Sequence, residues 1–375
     1  MNEKIARFLT ERRPATPCLV LDLDVVEENY TALSSALPDA RIYYAVKANP
    51  APEILDLLVR LGSSFDTASI PEIEMCLGAG ATADRISYGN TIKKEGDVAR
   101  AYELGVRLFA FDSVAELEKI ARVAPGSRVF CRILTSGEGA EWPLSRKFGC
   151  DPEMARQLLL QAARLGVEPY GVSFHVGSQQ KDVTQWDAAL AQTAQLFKEL
   201  EALGVSLKMV NLGGGFPTRY RSDVPDSEAY GVAIGEALRR HFGNRIPETI
   251  IEPGRGMVGN AGVIQSEVVL ISRKSANDNR RWVYLDIGKF GGLAETMDEA
   301  IQYPITVERA GAAEPVILAG PTCDSADVLY EKADYRMPVD LTIGDRVTIH
   351  AAGAYTTTYS AVAFNGFEPL RQYCI

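Results

Sequence analysis

From about Asp24 to Gly262 the chain alternates short apolar runs with longer amphipathic stretches. A short apolar run bounded by turn residues reads as a buried strand, and apolar positions recurring every three or four residues read as a helix packed by one face. The strand candidates are RIYYAVKA, FDTAS, RISYGN, RLFAFDS, RVFCRIL, GVSFHVG, MVNLGGG and ETIIEPG. Between them PEILDLLVRLG, VAELEKIARVA, EMARQLLLQAARLG and WDAALAQTAQLFKELEALG carry the helical period, several ending in the glycine common at helix C-termini. Strand and helix in alternation predict an α/β fold with a parallel sheet, and eight strands close a (β/α)8 TIM barrel, here over residues 24–262.

Past Gly262 the pattern changes. VIQSEVVLISRKS, RRWVYLDIG, PITVERAG, EPVILAGP, VDLTIGDRVTIHAAGAY and AVAFNGF are β-rich and punctuated by turns. PCLVLDLDVV near the N-terminus also reads as a strand, so a second, all-β domain is expected from both chain ends, 1–23 and 263–375. SANDN at 275–279 reads as a polar loop.

Composition places the chain among folded globular proteins, with 46% hydrophobic and 23% charged residues and no apolar run near the roughly 18 residues of a membrane span. No membrane role is expected. The opening MNEKIARFLTERRPATP has neither an apolar core nor a small-residue cleavage site, so a cytoplasmic location is expected. A net charge of −10 argues against a non-specific nucleic-acid binder, which needs clustered Lys and Arg. Cys18, Cys76, Cys131, Cys150, Cys323 and Cys374 form no CxxC pair and no Cys/His cluster, so neither a disulfide framework nor a metal site is expected.

Five of the expected barrel strands end in chemically distinctive residues: Lys47, Asp66, His175, the run Gly213, Gly214, Gly215, and Glu252. The C-terminal strand ends form the active-site mouth of such a barrel. Lys47 reads either as a surface lysine or, if desolvated, as an amine able to attack an aldehyde. The three glycines read either as a tight turn or as a loop whose N–H groups approach an anion. Gly254 and Arg255, just after Glu252, add a second loop suited to phosphate. His175, followed by Ser178, is either a satisfied core histidine or a planar ring in the site; His241 and His350 lack such company and read as structural.

Taken together and in order, YYAVKAN, FDTAS with Glu72, KFG at 147–149, HVGSQ, GGGFP, EPGR, GPTCDSAD, GAYT and FNGF closely resemble the fold-type III, alanine-racemase-like decarboxylases that use pyridoxal 5′-phosphate (PLP). The resemblance spans nearly the whole chain. It is to the ornithine/lysine branch of a family that also holds diaminopimelate and biosynthetic arginine decarboxylases. It implies a homodimer with shared sites and a basic amino acid as substrate: L-ornithine giving putrescine, and also L-lysine giving cadaverine, in polyamine synthesis.

The resemblance also implies roles. Lys47 matches the Schiff-base lysine and His175 the ring that stacks on the cofactor. Ser178, Gly214, Gly215, Gly254, Arg255 and the Tyr355 hydroxyl match the phosphate-binding groups. Glu252 matches the acid at the pyridine nitrogen, while Asp66 and Glu72 match acids that support the cofactor. Cys323 matches a proton donor to Cα and Asp324 an acid for the substrate's distal amine, both contributed by the partner subunit. Diaminopimelate decarboxylases usually carry Glu after this Cys and an arginine for the second carboxylate; this chain has Asp324 and shows no matching arginine. The segment 288–304 matches the family's specificity helix, where Glu295, Asp298 and Glu299 compete for the distal amine.

Three departures from the eukaryotic pattern stand out. Phe290 replaces a common tyrosine, and Pro143 stands where an arginine is expected, with Arg146 or Lys147 as substitutes. One extra residue separates Tyr355 from Phe364, which is expected to wall the substrate. An alanine-racemase-like isomerase and an antizyme-inhibitor-like binding protein are the rival readings. GPTCDSAD speaks against the first, and the retained cofactor ligands against the second.

Overall fold

The computed structural model describes residues 1–142 and 147–375. They fall into two compact units. One comprises Glu27–Pro217 and Val224–Met257, the other Met1–Val26, Thr218–Asp223 and Val258–Ile375. The boundaries set from sequence at 24 and 262 thus differ by a few residues, and the short segment 218–223 groups with the second unit.

The first unit is a closed barrel. Its strands run Ala40–Ala45, Ser64–Thr67, Ile86–Tyr88, Leu108–Phe111, Arg128–Arg132, Glu168–Ser173, Met209–Asn211 and Glu248–Ile251. Each pairs in parallel with the next, and the last returns to Ala40–Ala45. All eight coincide with the apolar runs identified in the sequence. Tyr43, Leu108, Ala110, Phe130, Tyr170, Met209 and Ile250 fill a buried layer inside. This is a packed core rather than a pore, so chemistry is confined to the strand ends.

The connecting helices start and stop where local signals direct. Ser69 Oγ, Ser113 Oγ and Asp151 Oδ1 accept the N–H three residues on and cap Ile70–Gly78, Val114–Val123 and Pro152–Arg164. Gly62, at φ 90°, ends Pro52–Leu61. Gln185–Ala202 is the longest helix among the described residues.

The second unit is built on an eight-stranded mixed sheet. Cys18–Leu21 pairs antiparallel with Gly262–Ser272 and parallel with the C-terminal strand Arg371–Cys374, so both chain ends enter one sheet. Three expectations need correction here. PCLVLDLDVV is a strand only over Cys18–Leu21; Asp22 then accepts the Asp24 N–H and the helix Leu23–Ala36 begins. AVAFNGF is a turn, with Ala363 and Asn365 at φ 56° and 51°. The long strand Val328–Pro338, interrupted by charges at its exposed positions, is a strand that the apolar pattern does not announce.

Candidate active site

All eight barrel strands deliver a polar residue or a glycine turn to the same end. Lys47 lies on a single 3₁₀ turn, Val46–Ala48, whose flanking residues are fully buried. Its side chain is half-exposed, and Nζ sits 3.0 Å from Asp66 Oδ2. Asp66 itself is buried, and its Oδ1 accepts no hydrogen bond. Room for that carboxylate exists only because residue 89 is glycine: a Cβ there would lie 1.9 Å from Asp66 Oδ1. Glu72 Oε2 accepts the Ala68 N–H at 2.6 Å, which closes the start of helix Ile70–Gly78. Burial raises the Glu72 carboxyl, against the pull of that bond and of Lys47.

His175 is enclosed. Burial, reinforced by Arg132 and Lys47, holds its imidazole well below the ordinary value, so the ring is neutral. Nδ1 accepts the Gly177 N–H at 3.0 Å, which puts the ring proton on Nε2, and the His175 carbonyl accepts from Thr135 Oγ at 2.6 Å. The glycine run wraps this residue closely. Gly213 has φ 67°, and a Cβ on it would meet the Phe174 carbonyl at 2.3 Å; one on Gly214 would meet the Glu252 carbonyl at 2.7 Å and His175 Nε2 at 3.2 Å.

Glu252 closes the ring of acids. Burial and the neighbouring Asp66 push its carboxyl up to about 7, against Lys47, a hydrogen bond from Asn211 and Arg132. Arg255 is buried and donates from Nη2 to Ser178 Oγ at 3.3 Å. The next residue, Gln179, sits at φ 57°, and the strand Ser178–Gln180 pairs with Ala140–Trp142. A guanidinium, a hydroxyl and unshielded glycine N–H groups are the donor set of a phosphate dianion.

Sequence reasoning passes over three further strand-end residues. Asp112, after Leu108–Phe111, accepts the Gly149 N–H at 2.8 Å. Arg132 ends Arg128–Arg132; burial lowers its guanidinium while Glu252, Asp112 and Asp66 oppose that shift. Asn211 ends Met209–Asn211 and contacts Glu252. The rule that singles out Lys47 would find all three. Pro143 and Arg146 lie outside the described residues; Lys147 is exposed, its Nζ 5.0 Å from the centre of the Phe148 ring, which Arg132 also faces at 5.0 Å.

The second unit holds the remaining candidates. Cys323 and Asp324 are exposed. Asn365 Oδ1 accepts the Cys323 N–H at 2.9 Å, and Asp324 Oδ1 takes the Ala326 N–H at 2.8 Å. The residue that shapes this loop is Asp327, which the motif does not distinguish from Asp324. Buried, it accepts from Lys289 N–H, Thr322 N–H and Thr322 Oγ at 2.8, 3.1 and 2.7 Å. Gly288 and Gly320 make room for it, since a Cβ on either would lie 2.1 and 2.3 Å from its carboxylate. Phe364 packs on Phe290 with ring centroids 4.8 Å apart, and both line a cavity of about 210 Å³ with Pro321 and Thr322. Tyr355 stands at φ 58°, a strained conformation for a non-glycine residue.

The expected specificity helix is instead a pair of 3₁₀ turns, Ala294–Glu299, kinked at Met297 and Asp298. Glu295 is buried there and Asp298 exposed. Glu299 corrects an expectation: its carboxylate accepts the N–H groups of Glu331, Lys332 and Ala333, each at 2.7 Å, so it holds a strand instead of facing a distal amine.

The comparisons with known proteins bear on this geometry. Residues 23–259 match the family model described as the pyridoxal-binding domain of pyridoxal-dependent decarboxylases. The chain belongs to that family. The lysine/ornithine decarboxylase of Selenomonas ruminantium is 38% identical over 98% of this chain and 91% of its own length. Antizyme inhibitor 2 of Xenopus laevis is 32% identical over 98% and 83%. The crystal structure of SrLDC in complex with PLP and cadaverine matches with a TM-score of 0.90 at 36% identity, covering 100% of this chain and 94% of that one. The cofactor of this decarboxylase-family chain is PLP. The mouth fits it: a half-exposed amine for the aldehyde, an orphaned Asp66 oxygen, a neutral ring at the glycine loop, and a buried guanidinium beside a hydroxyl for the phosphate.

Proposed function

We propose that the chain is a homodimeric decarboxylase converting L-ornithine to putrescine and L-lysine to cadaverine, with release of CO2, in the cytoplasm as a step of polyamine synthesis. The observation that carries this reading is the Lys47 ammonium, half-exposed and held 3.0 Å from the buried Asp66 at a barrel mouth that also contains Glu252, His175 and Arg255. When bound, PLP supplies the electron sink for the carbanion left at Cα after CO2 departs.

The chain's own residues do the rest. Lys47 would supply the amine that holds the cofactor's aldehyde carbon, with Asp66 and Glu72 supporting it there. Glu252 would place a carboxylate at the pyridine nitrogen, where an opposite charge favours the protonated ring. His175, being neutral, would cover a ring face without repelling that positive charge. Arg255, Ser178, Gly214, Gly215 and Gly254 would hold the phosphate, with the Tyr355 hydroxyl assigned to it by the family resemblance alone.

Cys323 and Asp324 of one protomer serve the site of its partner. Cys323 Sγ returns a proton to Cα, and Asp324, with Glu295 and the Phe364 wall, meets the distal end of the substrate. Their exposure within their own unit, which also exposes Val362 at 85% and Phe367 at 45%, supports a surface that a second copy covers. Ornithine and lysine differ by one methylene, a difference of about 1–3 kcal/mol in a pocket, which supports activity on both.

A binding-protein reading gains some weight from the antizyme inhibitor relative, yet a regulatory binder has no use for the full set of cofactor-holding groups. CO2 release by the PLP-loaded protein on L-ornithine, L-lysine, L-arginine and meso-diaminopimelate, with Lys47→Ala as blank, tests the proposal. Turnover of ornithine and lysine and a silent blank are expected. Turnover of diaminopimelate alone would overturn the reading of Asp324 and Glu295. A protein without the PLP absorbance band would return the question to binding.

A further inference from the structure

Asn211 is buried at the end of its barrel strand, directly before the glycine run, and its side chain makes two hydrogen bonds at once. Oδ1 accepts the Gly213 N–H at 2.9 Å, and Nδ2 donates to Glu252 Oε1 at 2.5 Å. Only one orientation of the amide satisfies both, since the reverse would set oxygen against carboxylate and NH2 against N–H. The backbone repeats the link, with Glu252 N–H donating to the Gly213 carbonyl at 2.8 Å. Gly213 cannot drift, because its positive φ and its closeness to the Phe174 carbonyl fix the loop.

We propose that Asn211 is a positioning residue that locks Glu252 in register with the glycine loop and holds its carboxylate in the ionised form that a protonated pyridine ring requires. This rests on the reading of Glu252 as the ring acid. The charged groups acting on Glu252 from the other strand ends of the barrel are Asp66, which opposes ionisation, and Lys47 and Arg132, which favour it; His175 is neutral. Burial and Asp66 prevail and leave the carboxyl at about 7, where a donor in direct contact decides how much is ionised. The amide is uncharged, so its pull persists across the pH range.

A local turn would account for the bond to Gly213, which has the two-residue spacing of an Asx turn. It would not account for the donor arm to Glu252. Asn211→Asp separates the two, keeping an acceptor for Gly213 and setting a second carboxyl against Glu252 in place of the amide donor, so that the pair ionises less readily. The readout is the dissociation constant of the apoprotein for PLP, followed from roughly pH 5.5 to 8.5, for the wild type, Asn211→Asp, Glu252→Gln and the double variant. Wild-type affinity is expected to fall as the pH drops through about 7, where Glu252 becomes protonated. Asn211→Asp should move that break upward by at least about one unit and weaken binding at least about 10-fold at pH 7, since like-charge repulsion adds to the loss of one charge-assisted hydrogen bond. Glu252→Gln should abolish the break, and adding Asn211→Asp to it should change the constant by less than about twofold. An unmoved break, or the full loss persisting in the Glu252→Gln background, would overturn the proposal and leave Asn211 a turn residue. A Glu252→Gln protein that binds PLP and turns over as the wild type would overturn the ring-acid reading, and this inference with it.

Discussion

The barrel mouth and the loops of the second unit carry their chemistry in opposite ways. In the mouth the side chains are held by close partners: the half-exposed Lys47 by the buried Asp66, Glu252 by Asn211, the buried Arg255 beside Ser178, His175 by the Gly177 N–H. In the second unit Cys323 and Asp324 are exposed, and their loop is fixed through its backbone by the buried Asp327 and by Asn365. The mouth is an assembled binding site within its own unit. The Cys323 loop instead holds its backbone in place and turns Cys323 and Asp324 toward solvent. Within that loop burial tells the two acids apart: Asp327 is enclosed and shapes the backbone, while Asp324 faces solvent.

If that contrast holds, variants of the two regions fail differently. The largest effect belongs to Cys323→Ala, expected to lower kcat by about 10²–10⁴-fold, the scale of a lost proton donor, while PLP absorbance and cofactor affinity stay at wild-type values. Loss of cofactor in this variant would break the contrast. Gly213→Ala should do the reverse. Its left-handed φ and the approach to the Phe174 carbonyl leave no room for a methyl, so the affinity for PLP should fall by about 10²-fold in a cofactor titration. Asp327→Ala comes next. It strands the N–H groups of Lys289 and Thr322, and a loss of about 2–3 kcal/mol is expected in thermal unfolding, with kcat lowered and cofactor affinity kept.

Legibility in the sequence follows the same division. A barrel places one strand-end residue after another around a single mouth, so Lys47, Asp66, His175 and Glu252 could be read from where apolar runs stop. Asp112, Arg132 and Asn211 obey the same rule, but an asparagine before three glycines looks like part of a turn, and its second hydrogen bond exists only in three dimensions. In the second unit the rule has no counterpart. Asp324 and Asp327 stand three residues apart in one motif, and only the fold of the loop tells the exposed acid from the buried one. The segment Ala294–Glu299 is kinked at Met297 and Asp298, so no helical register could be projected through it to rank its acids. Strand Val328–Pro338 hides behind the charges on its exposed positions.

The smallest expected effect sharpens the comparison within one short segment. Burial works against ionisation of Glu299, but three backbone N–H donors outweigh it and hold the carboxyl below its ordinary value. A carboxylate with a lowered folded-state value stabilises the fold above its unfolded value and loses that contribution as the pH falls through the folded one. Glu299→Gln, which keeps a single acceptor oxygen, should therefore cost about 1 kcal/mol in thermal unfolding at pH 7, discounted for partial exposure, and progressively less below about pH 4. Its KM for ornithine and lysine should stay unchanged, whereas Glu295→Gln should raise KM with little change in unfolding temperature. If Glu299→Gln raises KM instead, the carboxylate leaves its backbone partners when substrate binds, and the reading of Glu299 as a residue that only holds the strand Val328–Pro338 fails.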